Sequence, residues 1–142
     1  MIERAENEIK HGEKLAADHT EIVWGWGSPA GKQRAARRAE LISNGAGLHQ
    51  GIRALEIGCG TGMFTEMFAK TGARLTAVDI SGALLKKAAA RGLPRDQVMF
   101  LKKRFEDCDV HGPFDAVIGS SVLHHLDLGY ALYKIYTLLK PG

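Results

Sequence analysis

The twelve residues Arg53–Phe64, RALEIGCGTGMF, constrain this chain more than any other stretch. Ala54, Leu55 and Ile57 form the apolar body of a short buried strand, and Glu56 sits near its carboxyl end. Gly58, Cys59, Gly60, Thr61 and Gly62 follow as a turn. Phe64, Met67 and Phe68 then recur at helical spacing, so a helix starts directly after the turn. Glycine suits such a turn for two reasons. It takes positive φ in a sharp strand-to-helix connection, and it lets the backbone come close to a ligand.

The spacing of the glycines narrows the ligand. A dinucleotide-binding turn has the pattern G-x-G-x-x-G. Here Gly58, Gly60 and Gly62 give G-x-G-x-G, and Met63 stands where the last dinucleotide glycine would fall. That speaks against NAD and against an oxidoreductase. Glu56, two positions before the first glycine, points elsewhere. The string Glu56 to Gly62 resembles motif I of the class I S-adenosylmethionine (SAM) dependent methyltransferases, E/D-x-G-x-G-x-G, in its small-molecule branch (methyltransferase domain types 11 and 12). The alternative is an ordinary tight βα turn without a ligand.

The chain has 142 residues, which suits one domain with a real core. No apolar run approaches a membrane span, and the first eight residues are charged rather than signal-like. The expectation is therefore no membrane. Cys59 and Cys108 lack metal-ligand spacing, so a cytoplasmic chain with reduced thiols and no metal is the simplest reading. A formal charge of +3 is mild and does not by itself imply nucleic acid.

Residues 3–18 read as a helix with a thin apolar set: Ile9, Leu15, Ala16 and Ala17. The segment from His19 to Gly31 is broken by glycines and a proline, so no regular element is expected there. Its tryptophans, Trp24 and Trp26, either dock this arm on the core or close over a ligand. Lys32–Ser43 is a clear helix, with Ser28 as cap and Pro29 at its first position. Lys32, Arg34, Arg37 and Arg38 make a basic face, either a solvated helix face or a polyanion site.

Arg74–Asp79 is the second strand, apolar and ending in an acid. In an open parallel sheet, ligands lie beyond the carboxyl ends of the strands where the strand order reverses. Asp79 falls there, beside the glycine turn. Its carboxylate can accept both hydroxyls of a ribose, and the resemblance implies that role, with Ile80 packing on adenine. Ser81 caps the next helix, which runs to Arg91. Gln97–Leu101 is the third strand. In the resembled family a polar residue after this strand meets the adenine amino group. Here Arg104 holds that position, and an arginine offers no acceptor. Either Glu106 or Asp107 supplies one, or Phe105 contributes stacking and a backbone N–H.

Phe114–Ile118 is the fourth strand, continuing through Gly119, Ser120 and Ser121 to His124, His125 and Leu126. This string resembles the motif IV region of small-molecule methyltransferases, not the N/D-P-P-Y of enzymes that methylate nucleobase or glutamine nitrogens. That speaks against a nucleic-acid partner. His125 either takes a proton from a substrate hydroxyl or is a packing histidine at a helix entrance. Asp127 caps a last helix, Leu128–Leu139, with Leu128, Leu132, Ile135 and Leu139 as its core face.

The resemblance implies an α/β fold, a Rossmann-like doubly wound parallel sheet of order 3-2-1-4, truncated before strand 5, with N-terminal helices. Residues 1–50 form a helical arm bordering the substrate side, and residues 51–142 the SAM-binding core. The cofactor is SAM or S-adenosylhomocysteine (SAH). Glu56, Gly58, Cys59, Gly60 and Gly62 hold its methionine end, Asp79 and Ile80 the nucleoside, Phe105 and Glu106 the adenine, and Ser120 the end of strand four. The function implied is methyl transfer to a small-molecule acceptor, with His125 as base. A SAM-binding module without catalysis is the second reading. The open edge of strand four is explained by a missing remainder of the domain, by self-association, or by a mini-fold that no longer methylates.

Overall fold

A computed structural model describes residues 2–18 and 20–142. Met1, in the charged N-terminus, and His19, which opens the tryptophan segment, lie outside the described residues. The elements in chain order are α1 (Ile2–Ala17), α2 (Thr20–Val23), α3 (Pro29–Gly45), β1 (Arg53–Ile57), α4 (Met63–Ala69), β2 (Arg74–Asp79), α5 (Gly82–Ala89), β3 (Val98–Lys102), β4 (Ala116–Gly119) and α6 (Leu128–Leu138), with short 3-10 turns at Phe105–Asp107 and Leu123–His125. The strands form one parallel sheet in the order β3-β2-β1-β4. This is the Rossmann-like arrangement that the sequence implied.

Side chains alternate along each strand, so neighbours feed opposite faces. On one face Ala54, Leu75, Val98 and Ile118 pack with Phe68 of α4 and with Ala39 and Leu48 from the α3 region. On the other, Leu55, Ile57 and Val78 pack with Phe105, Phe114, Ala131 and Leu138. Burial on both faces explains why β1 and β2 read as nearly continuous apolar runs. The strand order reverses between β1 and β4, which leaves a crevice beyond their carboxyl ends.

The caps are where the sequence put them. Ser28 accepts from Gly31 N at 3.0 Å, with Pro29 in the first turn of α3. Ser81 accepts from Leu84 N, and Asp127 from Tyr130 N. Three expectations need correction. The segment after His19 holds one turn of helix, α2, because Thr20 Oγ1 donates to Leu15 O at 2.7 Å and Thr20 O accepts from Trp24 N. The breaking glycine acts later, at Gly25, with φ +78°. Next, β4 begins at Ala116 rather than Phe114, because Phe114 pairs with Leu139 in an isolated parallel bridge.

The core face of α6 is the third correction. Leu128 and Leu132 are about half exposed, whereas Ala131 is fully buried, Leu138 nearly so, and Ile135 packs beside them. The helix turns its small residue to the sheet so that Lys134 reaches the loop after β3. There Lys134 Nζ donates to the carbonyls of Phe105 (2.7 Å), Glu106 (3.1 Å) and Cys108 (2.5 Å). Among the described residues, no helix is long and apolar enough to cross a membrane.

Candidate functional site

The turn after β1 is tied down by its own backbone. Gly58 N and Cys59 N both donate to Val78 O, at 2.8 and 3.1 Å, so the turn is lashed to the end of β2. Gly58, Gly60 and Gly62 all have positive φ, which is the conformational demand the glycine spacing foretold. Gly60 N donates to Asp79 Oδ2 at 2.8 Å, and Ser81 N donates to Asp79 Oδ1 at 2.8 Å. Asp79 is thus fixed by one bond to each oxygen, and each oxygen keeps a lone pair for a ligand. Burial raises its pKa, the bonds from Ser81 and Gly60 oppose that, and the nearby charge of Glu8 adds to it.

Glu56 lies beneath the turn and is 3% exposed. Thr65 Oγ1 donates to its Oε2 at 2.5 Å. Burial lifts its pKa to about 7 against the help of Thr65, and the charge of Asp79 adds to the rise. Burial also pushes the Cys59 thiol well up, with Glu56 and Asp79 contributing, so Cys59 is a protonated, inert wall group.

Above the turn is a cavity of about 540 Å³, within the roughly 300–1,000 Å³ range of small-molecule and cofactor sites. Of the residues singled out from the sequence, Glu56, Gly58, Cys59, Gly60, Asp79, Ile80, Phe105, Glu106, Ser120 and His125 all line it. Gly62 does not. It faces α5, where an added Cβ would meet the Ala88 Cβ at 3.0 Å, so its absent side chain serves helix packing. Phe105 reaches the cavity from the core. Its ring is 3% exposed and sits under the Lys134 ammonium, 5.2 Å away, so little of its face is free to stack. Glu106 has a largely buried carboxylate, 3.6 Å from Arg104 Nε, and Asp107, the other acceptor considered, is an exposed ion-pair partner of Arg104.

The tryptophans dock the arm on the core and also line the cavity. Trp26 packs edge-on against Phe64 at 5.7 Å, and Trp24 lies against Gly60, yet both also line the cavity. His125 Nδ1 pairs with Glu8 Oε1 at 2.7 Å, and the ring lies 3.8 Å from that of His124. Arg4 donates to His124 O at 2.5 Å.

Several wall groups escaped the sequence reading. α1 supplies Arg4, Glu8, His11 and Leu15 to the cavity, although its apolar pattern was thin. Behind the wall, and not lining the cavity, Arg38 of α3 lies over Trp26 at 5.0 Å and donates to the Ser120 and Ser121 hydroxyls at 3.2 Å. Ser121 takes φ +56° to present its hydroxyl there. Among the described residues Arg38 has no carboxylate partner, unlike Arg37, which pairs with Glu40. Thr61 is 3% exposed, lines the cavity, and its Oγ1 has no hydrogen-bond partner. That oxygen is enclosed by protein rather than open to the cavity, which Thr61 meets through its other atoms.

Residues 55–142 match the family described as "Methyltransferase domain". The chain belongs to that methyltransferase-domain family. Its relatives include the ubiquinone biosynthesis O-methyltransferase of Xylella fastidiosa (strain 9a5c), 35% identical over 127 residues, which cover 83% of this chain and 51% of the relative. The protein of the same name from Xanthomonas oryzae pv. oryzae is 38% identical over 96 residues, 65% of this chain and 40% of the relative. This methyltransferase domain therefore spans about half the length of the curated relatives it matches.

Solved structures agree on the fold. The N-methyltransferase NodS from Bradyrhizobium japonicum, in complex with SAH, has a TM-score of 0.79 at 23% identity, covering 96% of this chain and 69% of NodS. The [4+2]-cyclase SpnF has a TM-score of 0.69 at 28% identity, covering 78% of this chain and 43% of SpnF.

Proposed function

We propose that this methyltransferase domain binds SAM and belongs to an enzyme that transfers its methyl group to a small-molecule acceptor. The observation that carries this is the single cavity joining Glu56, the glycine turn and Asp79 at the point where the strand order reverses. The residues present fit the cofactor. Asp79 has two oxygens with free lone pairs for a ribose diol, and Ile80 offers an apolar surface beside it. Arg38, behind the cavity wall, braces Ser120, Ser121 and Trp26, which line it. Glu106 is the remaining acceptor for the adenine amino group.

When bound, SAM supplies an electrophilic methyl group on its sulfonium. The chain's own work is orientation, exclusion of water and handling of one proton. Glu8 holds His125 through Nδ1, which leaves Nε2 to take the proton from an acceptor hydroxyl. The Xylella relative is named for O-methyl transfer, and a hydroxyl acceptor suits that base. Residues 1–50 would border the acceptor and residues 51–142 hold the cofactor. Both cysteines are free thiols, which fits the cytoplasm. A second copy pairing along the edge of β4 is the partner reading. The exposed Leu132, Tyr133 and Tyr136 of α6 support it, and a dimer mass in light scattering checks it.

A binding module without turnover is the second reading. SpnF, with this fold at 28% identity, is named for a different reaction, so fold alone does not fix chemistry. Calorimetric titration with SAM, SAH and NAD in parallel tests the cofactor. We expect SAM and SAH to bind and NAD not to bind. NAD binding alone would overturn the assignment.

A further inference from the structure

Arg91 follows α5 and lies outside the cavity, yet it touches three elements that shape it. Its Nε donates to Thr61 O at 2.7 Å, in the glycine turn. Its Nη1 pairs with Glu66 of α4 at 2.6 Å, and its Nη2 with Glu21 of α2 at 2.5 Å. The side chain is 21% exposed. A planar guanidinium can serve three acceptors in fixed directions, which an ammonium cannot do with the same geometry.

Two of these acceptors, Glu21 and Thr61, bear on the cavity walls. Glu21 O accepts from Trp26 N (2.7 Å) and Gly27 N (3.1 Å), so where Glu21 stands decides where the Trp26 ring stands. Thr61 itself lines the cavity. The strap formed by α1, α2 and the tryptophan turn is fastened again at the far side of the cavity, through Glu8 to His125 and Arg4 to His124 O. Near Glu21, among the described residues, the strap is held further only by the longer bonds of Lys87 to Asp18 O (3.3 Å) and Thr20 Oγ1 (3.4 Å) and of Arg34 to Gly25 O (3.2 Å).

We infer that Arg91 is a positioning residue that locks the tryptophan strap to the glycine turn, so that the strap's closure and the turn's geometry rise and fall together. The inference rests on the reading of the cavity as a SAM site. The pair Glu21–Arg91 is the releasable half, because Glu21 is 43% exposed while the bonds to Thr61 and Glu66 hold Arg91 from the other side.

The chain has two tryptophans, Trp24 and Trp26, both in the strap, so tryptophan emission excited selectively over the three tyrosines reports the strap. The variants are Glu21→Gln, which removes only the strap's charge, and Arg91→Lys, which keeps a charge but loses the fork. Acrylamide quenching without ligand and stopped-flow release of SAH are the readouts. For Glu21→Gln we expect quenching to rise and SAH to leave roughly two- to fivefold faster, the scale of a partly exposed ion pair, with thermal unfolding nearly unchanged. Arg91→Lys should show the same signature more strongly. Unchanged quenching in both variants overturns the lock. Raised quenching with unchanged SAH release overturns the coupling to the turn. If the unaltered chain does not hold SAH, the cofactor reading fails, and ligand-free quenching alone decides the lock.

Discussion

Asp79→Ala is expected to weaken SAH binding by at least about 100-fold, since two bonds to a charged carboxylate are each worth about 1.5–3 kcal/mol. The carboxylate has two tasks. It offers a lone pair from each oxygen to the cavity, and it accepts Gly60 N and Ser81 N. Alanine ends both and leaves two backbone donors unpaired at the rim, so part of the loss reflects a loosened turn. Asp79→Asn weakens both tasks without abolishing either, because its NH2 faces one of the two backbone donors. It keeps the side chain's shape and one good acceptor, and should lose about tenfold. Calorimetry with SAH on both variants, alongside far-ultraviolet circular dichroism, makes the comparison. If Asp79→Ala keeps full affinity in a folded chain, the nucleoside does not sit beside β2, and the assignment of the cavity falls.

Glu56→Gln should make the protein more stable and less able to bind. The folded-state pKa of Glu56, about 7, lies above its ordinary 4.5. The folded chain therefore holds a proton that the unfolded chain releases between those values, and stability falls as pH rises through that window. Above pH 7 the buried charge costs about 3 kcal/mol as an upper bound. Glutamine keeps an acceptor for Thr65 Oγ1 and carries no charge. The expected gain is about 2–3 kcal/mol at pH 8, shrinking to nothing near pH 4.5. Urea unfolding at the two pH values measures it, and an equal gain at both would assign it to packing instead. SAH affinity at pH 8 should drop about tenfold if the carboxylate serves the ligand, in line with the general cost of optimising a site for stability.

These two residues were readable in the sequence because their places are set locally. Glu56 is fixed by its distance from the first glycine, and Asp79 by ending an apolar strand whose bounds, Arg74–Asp79, match the structure residue for residue. The third strand was set one residue early, because the backbone of Gln97 joins the ladder through Leu75 N while its side chain turns aside to Ala69 O and Ala73 O. The face of α6 was misjudged for a different reason. Hydrophobicity ranks Leu128 and Leu132 above Ala131, but α6 packs closely on the 3-10 turn after β3, and Ala131 is the residue buried. The choice depends on a distance between elements, which no local pattern encodes.

Arg38 and Arg91 show the same limit. Arg38 reads as part of a basic face, solvated or polyanion-binding, and Arg91 only as the end of the helix after Ser81. Their partners are 82 or more residues away for Arg38, and 25 to 70 away for Arg91. Only the folded chain brings Ser120 to α3 or Glu21 to the end of α5. Gly62 errs in the other direction. Its spacing is that of a ligand turn, yet its neighbour is Ala88. A motif records which backbone shapes are needed and is silent on which of them a ligand touches.

The lashing of the glycine turn to Val78 and Asp79 also bears on how the molecule comes apart. Three successive amides, of Gly58, Cys59 and Gly60, are held by the last two residues of β2. Loops ordinarily open in small local fluctuations that leave the sheet intact. Here the loop shares its amides' acceptors with the end of β2, so its opening also frees Val78 O and the Asp79 carboxylate. The cavity floor and the carboxyl end of β2 therefore loosen together, and a form with an open floor is one in which the end of β2 is also disturbed.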